Sequence, residues 1–132
     1  MPKEFGFPKT EHLKSRKQID DLFAGGKSIV VFPVRAIYKF APADEGNLLV
    51  GVSASKRSFK KAVDRNRVKR LLREAYRLQK KELVLAIKTA GLGCRVFFLY
   101  SDKAIADFET IKAAVGKCLQ RLCKQIPRED AS

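Results

Sequence analysis

Arg65, Asn66, Arg67, Lys69, Arg70, Arg73 and Arg77 crowd into one short stretch of the chain. An arginine's planar fork binds two phosphate oxygens at once, and its flat face stacks on bases. The chemistry these residues point to is the binding of a polyanion. Lys56, Arg57, Lys60 and Lys61 precede the stretch, and Lys80 and Lys81 follow it. Residues 56–81 thus hold twelve bases against two acids, Asp64 and Glu74, a local charge of +10. The whole chain of 132 residues carries +14, so the other 106 residues contribute only +4. The charge is a patch, not a generally basic surface.

A catalytic set is not visible. His12 is the sole histidine and reads as a surface residue without a partner. Adjacent carboxylates come as Asp20-Asp21, Asp44-Glu45 and Glu129-Asp130. Neighbouring residues diverge on a helix, so these pairs do not form a metal cluster. Cys118 and Cys123 do not have metal-ligand spacing on a helix and read as buried core residues. Ser53 and Ser55 lack a neighbouring base to make either a nucleophile.

Apolar residues make up 45% of the chain. That share excludes a wholly disordered basic tail. The length fits one domain around one core. The apolar runs, such as 29–34 and 96–100, are far shorter than the roughly 20 residues of a membrane span. The first residues, Met1-Pro2-Lys3-Glu4-Phe5, hold no apolar run, so no signal peptide is expected. Three scattered cysteines, Cys94, Cys118 and Cys123, do not make a disulfide framework, so a reducing cytoplasm is the expected location.

These residues need elements to hold them. Residues 1–14 read as an arm and 127–132 as a short tail, flanking one domain over 15–126. Ser15 and Gln18 form a capping-box pattern, and Ile19, Leu22 and Phe23 follow at helical spacing, predicting a helix over 15–24 that stops at Gly25-Gly26. Residues 28–40 are rich in β-formers, with Pro33 marking an edge strand or bulge. A loop covers 41–47. The β run 48–54 is expected to pair antiparallel with the strand before it. Residues 94–100 make a further strand, and 104–126 a closing helix.

Residues 62–81 keep helical period. With Asn66 at zero and about 100° per residue, Val68, Leu71, Leu72, Ala75 and Leu78 fall between about 120° and 240°. Asn66, Arg70, Arg73 and Arg77 cluster opposite them. One face therefore docks and the other presents cations. Glu74 stands within reach of both Arg70 and Arg77. Such a face is often merely solvated; the near absence of acids favours an external polyanion. Before it, Gly51-Val52-Ser53-Ala54-Ser55-Lys56-Arg57 runs from a strand into a basic turn, where hydroxyls and amides can meet phosphate.

Gly51 to Arg57, followed by Ala62-Val63-Asp64-Arg65-Asn66-Arg67-Val68-Lys69-Arg70-Leu71-Leu72-Arg73-Glu74-Ala75-Tyr76-Arg77, resembles the signature of the protein subunit of bacterial ribonuclease P. The likeness reaches over most of residues 10–125, including Leu13, Phe23 and Gly26. It implies an α+β two-layer sandwich of order α-β-β-β-α-β-α. It also implies a left-handed βαβ crossover through the Arg-Asn-Arg helix, which is the rare hand. The implied function is that of a non-catalytic subunit. The RNA subunit holds the active site and its magnesium ions, and the holoenzyme removes the 5′ leader of precursor tRNA by endonucleolytic cleavage. No cofactor, membrane or obligate protein partner is expected for the protein itself.

Carried over by position, Arg65, Asn66, Arg67, Lys69, Arg70, Arg73 and Arg77 would contact the RNA subunit. A cleft between the sheet and the first helix would hold the leader with Phe23, Tyr38, Ser53, Ser55, Lys56 and Arg57. Phe23 shares a face with Ile19 and Leu22, so core packing is its equal alternative; Tyr38 carries a hydroxyl in an alternating strand and is expected in the cleft. Ile19 stands where the family often has an aromatic residue, so no stacking is expected there. The end of the last strand has no basic residue before Lys103, leaving Tyr100 as the candidate contact on that edge. The rival readings are a general RNA-binding protein on a similar scaffold, a helix-turn-helix DNA binder and a free-standing nuclease. A strand rather than a short helix precedes the basic helix, against the helix-turn-helix arrangement.

Overall fold

The computed structural model describes residues 16–42 and 48–126. The expected arm, His12, Ser15, the segment 43–47 and the tail 127–132 lie outside the described residues. Eight elements follow in order: α1 (Arg16–Gly25), β1 (Lys27–Val31), β2 (Val34–Pro42), β3 (Leu48–Ala54), α2 (Ala62–Gln79), α3 (Lys81–Ala90), β4 (Leu92–Tyr100) and α4 (Phe108–Gln125). The succession agrees with the expected order, with α3 added directly after α2.

The stretch 28–40 is two strands rather than one. The chain reverses at Phe32-Pro33, a cis peptide bond, and Val31 pairs with Val34 across the turn. The sheet order is β1-β2-β4-β3. The expected antiparallel pairing of β3 with β2 does not occur: β2 pairs antiparallel with β4, and β3 pairs parallel with β4. The cause lies in β4 itself. Every residue from Gly93 to Phe98 is buried, all but Arg95 uncharged, and a strand buried on both faces belongs in a sheet's interior. A parallel neighbour cannot be reached by a hairpin; α2 and α3 make the crossover.

Alternation then sorts the side chains. Val34, Ala36, Tyr38, Val50, Val96, Phe98 and Tyr100 face one way, into the main core with α2, α3 and α4. Ile37 and Phe97 face the other way and meet Leu22 of α1 in a second, smaller core. Leu22 is the buried anchor of α1, at 1% exposure. Gly26 lets the chain turn back tightly beneath it, its N–H donating to the Leu22 carbonyl at 2.7 Å.

The basic helix ends at Gln79, not at 81. Lys80, with φ −76° and ψ −16°, is the joint from which α3 departs. The apolar pair Leu83 and Ile87 buries one side of α3. Gly91 closes it in the left-handed region at φ 68°, where a residue with a Cβ is strained. Gln79 bridges the helices, its Nε2 donating to the Ala75 carbonyl and to the Lys112 carbonyl of α4, both at 2.9 Å.

Cys94 and Cys118 are buried and Cys123 half-buried. Burial pushes the Cys94 thiol up to about 12 and the Cys118 thiol up to about 11. A raised thiol pKa makes stability fall as pH climbs from the ordinary value of 9.0 toward about 12, because the unfolded chain ionises first. At pH 8 an alkylating reagent should label Cys123 in the native protein and reach the other two only on unfolding. Mass spectrometry of the labelled peptides checks this; rapid native labelling of Cys94 would contradict it.

Candidate nucleic-acid interface

Helix α2 docks through Val68, Leu72, Ala75 and Tyr76, all at 0% exposure. The docked arc is rotated from the expected one. Tyr76 takes the buried place assigned to Leu78, which is 37% exposed. Tyr76 fits because Phe98 of the central strand faces it, with ring centroids 6.0 Å apart.

The opposite side of α2 presents Asn66, Arg67, Arg70 and Arg73, all exposed. Lys69 is half-exposed beside them. Asn66, Arg70 and Arg73, with Lys69 at their flank, keep the arrangement that the helical period predicts, and Arg67 joins them because the docked arc is rotated away from it. Two of the predicted contacts are engaged within the protein. The Arg77 guanidinium donates to both carboxylate oxygens of Glu74, with Nε to Oε2 at 3.1 Å. That bond from Arg77 holds the Glu74 carboxyl below its ordinary range. Glu74 is thus committed to Arg77, and its charge offsets that end of the row.

Arg65 turns inward. Its Nη1 donates to the carbonyls of Phe59 at 2.8 Å and Lys60 at 3.0 Å. At about 100° per residue Arg65 stands at about 260°, outside the arc expected to dock but within the rotated arc that Tyr76 extends, so the sequence did not foretell this role. Arg65 ties the turn after β3 to the first turn of the helix. Phe59 anchors that turn below, 5% exposed, its ring centroid 5.9 Å from that of Tyr100. Above, Ser55 closes it: its Oγ accepts from the Arg57 N–H at 3.0 Å, and its carbonyl from the Phe59 N–H at 2.9 Å. Lys56, Arg57, Lys60 and Lys61 project from this braced turn, all exposed.

The second surface is the sheet face carrying α1. Phe23 stands on it, 48% exposed, its ring edge-on to Phe97 at 5.4 Å. Of its two alternatives, core or surface, Phe23 takes a rim position that satisfies both. Register places Arg35 and Ser53 either side of Leu99, and Ile37 and Gly51 either side of Phe97. Lys39 lies one further step along, beside Arg95. Arg35 and Lys39 are exposed. Sequence reading missed both, although they alternate with buried Ala36 and Tyr38 at strand period.

Tyr38 does not share this face. It belongs to the main core on the helix side, at 5% exposure, edge-on to Phe40 at 5.7 Å. Burial, then the nearby Cys94, raises its hydroxyl pKa. Its ring borders only a crevice of about 170 Å³ with Lys27 and Gln125. The strand's two-residue period sets this: Tyr38 is even with Val34 and Ala36, whereas the face with Phe23 takes the odd positions. Tyr100 is likewise internal, 3% exposed. Its hydroxyl donates to the Ala104 carbonyl at 2.7 Å and accepts from the Ala106 N–H at 2.8 Å. It shapes the loop into α4 and is not positioned to meet a ligand. Ile19 packs partly buried at the small core. Among the described residues, no three His, Cys, Asp or Glu side chains gather into a metal-binding group, and no helix is long and apolar enough to cross a membrane.

A mixed four-stranded sheet with three helices on one face, one on the other and a cationic row on the crossover helix defines a small α+β sandwich of the ribonuclease P protein type. The chain belongs to the ribonuclease P protein family, which it matches over residues 7–123. It is 37% identical over 129 residues to the ribonuclease P protein component of Porphyromonas gingivalis, covering 96% of this chain and 93% of that one. It is 37% identical over 115 residues to the component from Legionella pneumophila, covering 86% and 99%. The fold is similar to the RNase P protein of Staphylococcus aureus, with a TM-score of 0.64 at 18% identity over 88% of this chain and 96% of that one. It is also similar to that of Thermotoga maritima, with a TM-score of 0.62 at 22% identity over 89% and 98%.

Proposed function

We propose that this chain is the protein subunit of a ribonuclease P ribonucleoprotein and works by binding two RNAs on two surfaces. The exposed row Asn66, Arg67, Arg70 and Arg73, flanked by Lys69, meets the catalytic RNA subunit. The face with Phe23, Arg35, Lys39 and Ser53 holds the 5′ leader of precursor tRNA as a single strand, with Ser55, Lys56 and Arg57 at its edge. The RNA subunit performs the cleavage and holds the magnesium ions. The protein lowers phosphate repulsion and positions the substrate, and its place is the cytoplasm.

One observation supports this reading above the others: the row of exposed cations lies on the helix that carries the family's Arg-Asn-Arg triplet. Single-stranded RNA is held by cationic grooves with aromatic platforms, each stack contributing roughly 1–3 kcal/mol. The face with Phe23, Arg35 and Lys39 has that composition. Reconstitution with the cognate RNA subunit is the test. At low magnesium the protein should raise cleavage of precursor tRNA, and the complex should bind leader-bearing tRNA more tightly than mature tRNA. No gain in cleavage, with equal binding of both, would favour a general RNA-binding protein. Hydrolysis by the isolated protein after rigorous removal of RNA would instead make it a nuclease in its own right.

A further inference from the structure

The hairpin at the β1 edge of the sheet carries a feature that the two surfaces above do not use. Phe32, at its tip, is 69% exposed, although the fold buries every other described aromatic ring more deeply than this. A groove of about 380 Å³ separates it from α4, lined by Val31, Ala113, Thr110, Lys117 and Glu109 among others. Helix α4 then continues along the strand. Lys117, Arg121 and Lys124 are exposed at positions i, i+4 and i+7, which is one side of a helix. Arg121 sits directly on the strand, its Nη1 reaching the Val30 carbonyl at 3.5 Å. Lys27 extends the cations to the far end of β1, beside Gln125. Glu109 is the sole acid lining the groove.

We propose that this edge, with Phe32 at its tip and Lys117, Arg121 and Lys124 beside it, is a second RNA track that takes an unpaired strand. A ring open to stacking followed by evenly spaced cations is the composition that holds single-stranded nucleic acid without reading its sequence. The charge of the edge decides against its other natural occupant, a second copy of this chain. Lysine and arginine along a free strand are the usual guard against strand addition, and a second copy brings the same +14. The track lies on the β1 side of α4, whereas α2 packs against α4 from the β3 side, and the face carrying Phe23 is on the other side of the sheet. It rests on the reading of this chain as an RNA-binding protein, but not on which RNA the other two surfaces hold.

The experiment uses the full chain, a short oligouridylate and ultraviolet crosslinking, with adducts mapped by peptide. An adduct on the tryptic peptide 28–35, which contains Phe32, is expected. It should persist when Arg67→Ala, Arg70→Ala and Arg73→Ala remove the α2 row. In that background Phe32→Ala should lower oligouridylate affinity about fivefold or more and abolish the adduct, as loss of one stacked base requires. Lys117→Glu with Lys124→Glu should lower it about tenfold and flatten the salt dependence. Neither change touches the core, and circular dichroism verifies the fold. Adducts confined to other peptides, or affinity unmoved by both variants, overturn the proposal. So does a concentration-dependent dimer that Phe32→Ala dissolves, which would make the edge a contact between copies. A failed cleavage assay beside a positive crosslink would reject the ribonuclease P role and leave the track standing.

Discussion

Arg67→Ala, Arg70→Ala and Arg73→Ala made together should weaken binding of the RNA subunit by roughly 10³-fold, taking about 1.5 kcal/mol for each charge-assisted contact. The salt dependence should flatten as well. Each lost phosphate contact removes about 0.7–0.9 from the slope of log K against log salt, so three remove roughly two to three. All three side chains are exposed on a helix whose docking residues are untouched, so stability should stay within about 0.5 kcal/mol. A filter-binding series across salt concentrations measures both quantities, and an unchanged slope would remove these residues from the interface. Arg65→Ala is the informative contrast. Its guanidinium is engaged with the Phe59 and Lys60 carbonyls, so its loss should loosen the turn carrying Lys56 to Lys61. Affinity should fall with much less change in slope. Amide exchange at Phe59 to Lys61 should quicken in the free protein, which Arg67→Ala would not cause.

Gly26→Ala should cost about 1–3 kcal/mol of stability, the usual penalty of overpacking. An added Cβ would stand 2.5 Å from the Leu22 carbonyl oxygen and 2.9 Å from the Ile37 methyl Cγ2. The first of these is backbone, so relief requires α1 to move. Moving α1 shifts Leu22 out of its contact with Ile37 and Phe97 and displaces Phe23. The preference for leader-bearing tRNA should therefore fall along with the melting midpoint. Gly25→Ala is the control: its Cβ would meet only the flexible end of Lys39, at 3.5 Å. It should be neutral or slightly stabilising, since alanine favours the last helical turn. Equal behaviour of the two variants in denaturant titrations would refute the steric account.

The patch and its partner class were legible in residue order alone. Twelve bases against two acids in residues 56–81, with apolar residues at helical period between them, define a one-sided cationic helix without any knowledge of the fold. The reason is that helical geometry is local: 3.6 residues per turn sets which side chains share a side. The Phe32-Pro33 reversal and α3 were harder to see. A two-residue turn between β-rich segments reads as one interrupted strand, and residues 81–90 are too short and too apolar to separate helix from strand by period.

Which strand lies beside which was a tertiary decision. The apolar run of β4 calls for neighbours on both sides, and only packing chose β2 and β3 to fill them. That choice divided the aromatic residues between two faces. It left Phe23 at a rim, sank Tyr38 and Tyr100 into the core, and brought Arg35 and Lys39 to the face of Phe23. Pairing between strands depends on residues far apart in the chain, and one step of register moves a side chain to the other face. Charge and period along the chain therefore determined the one-sided cationic helix, while the pairing of strands in the sheet decided which rings and cations stand together.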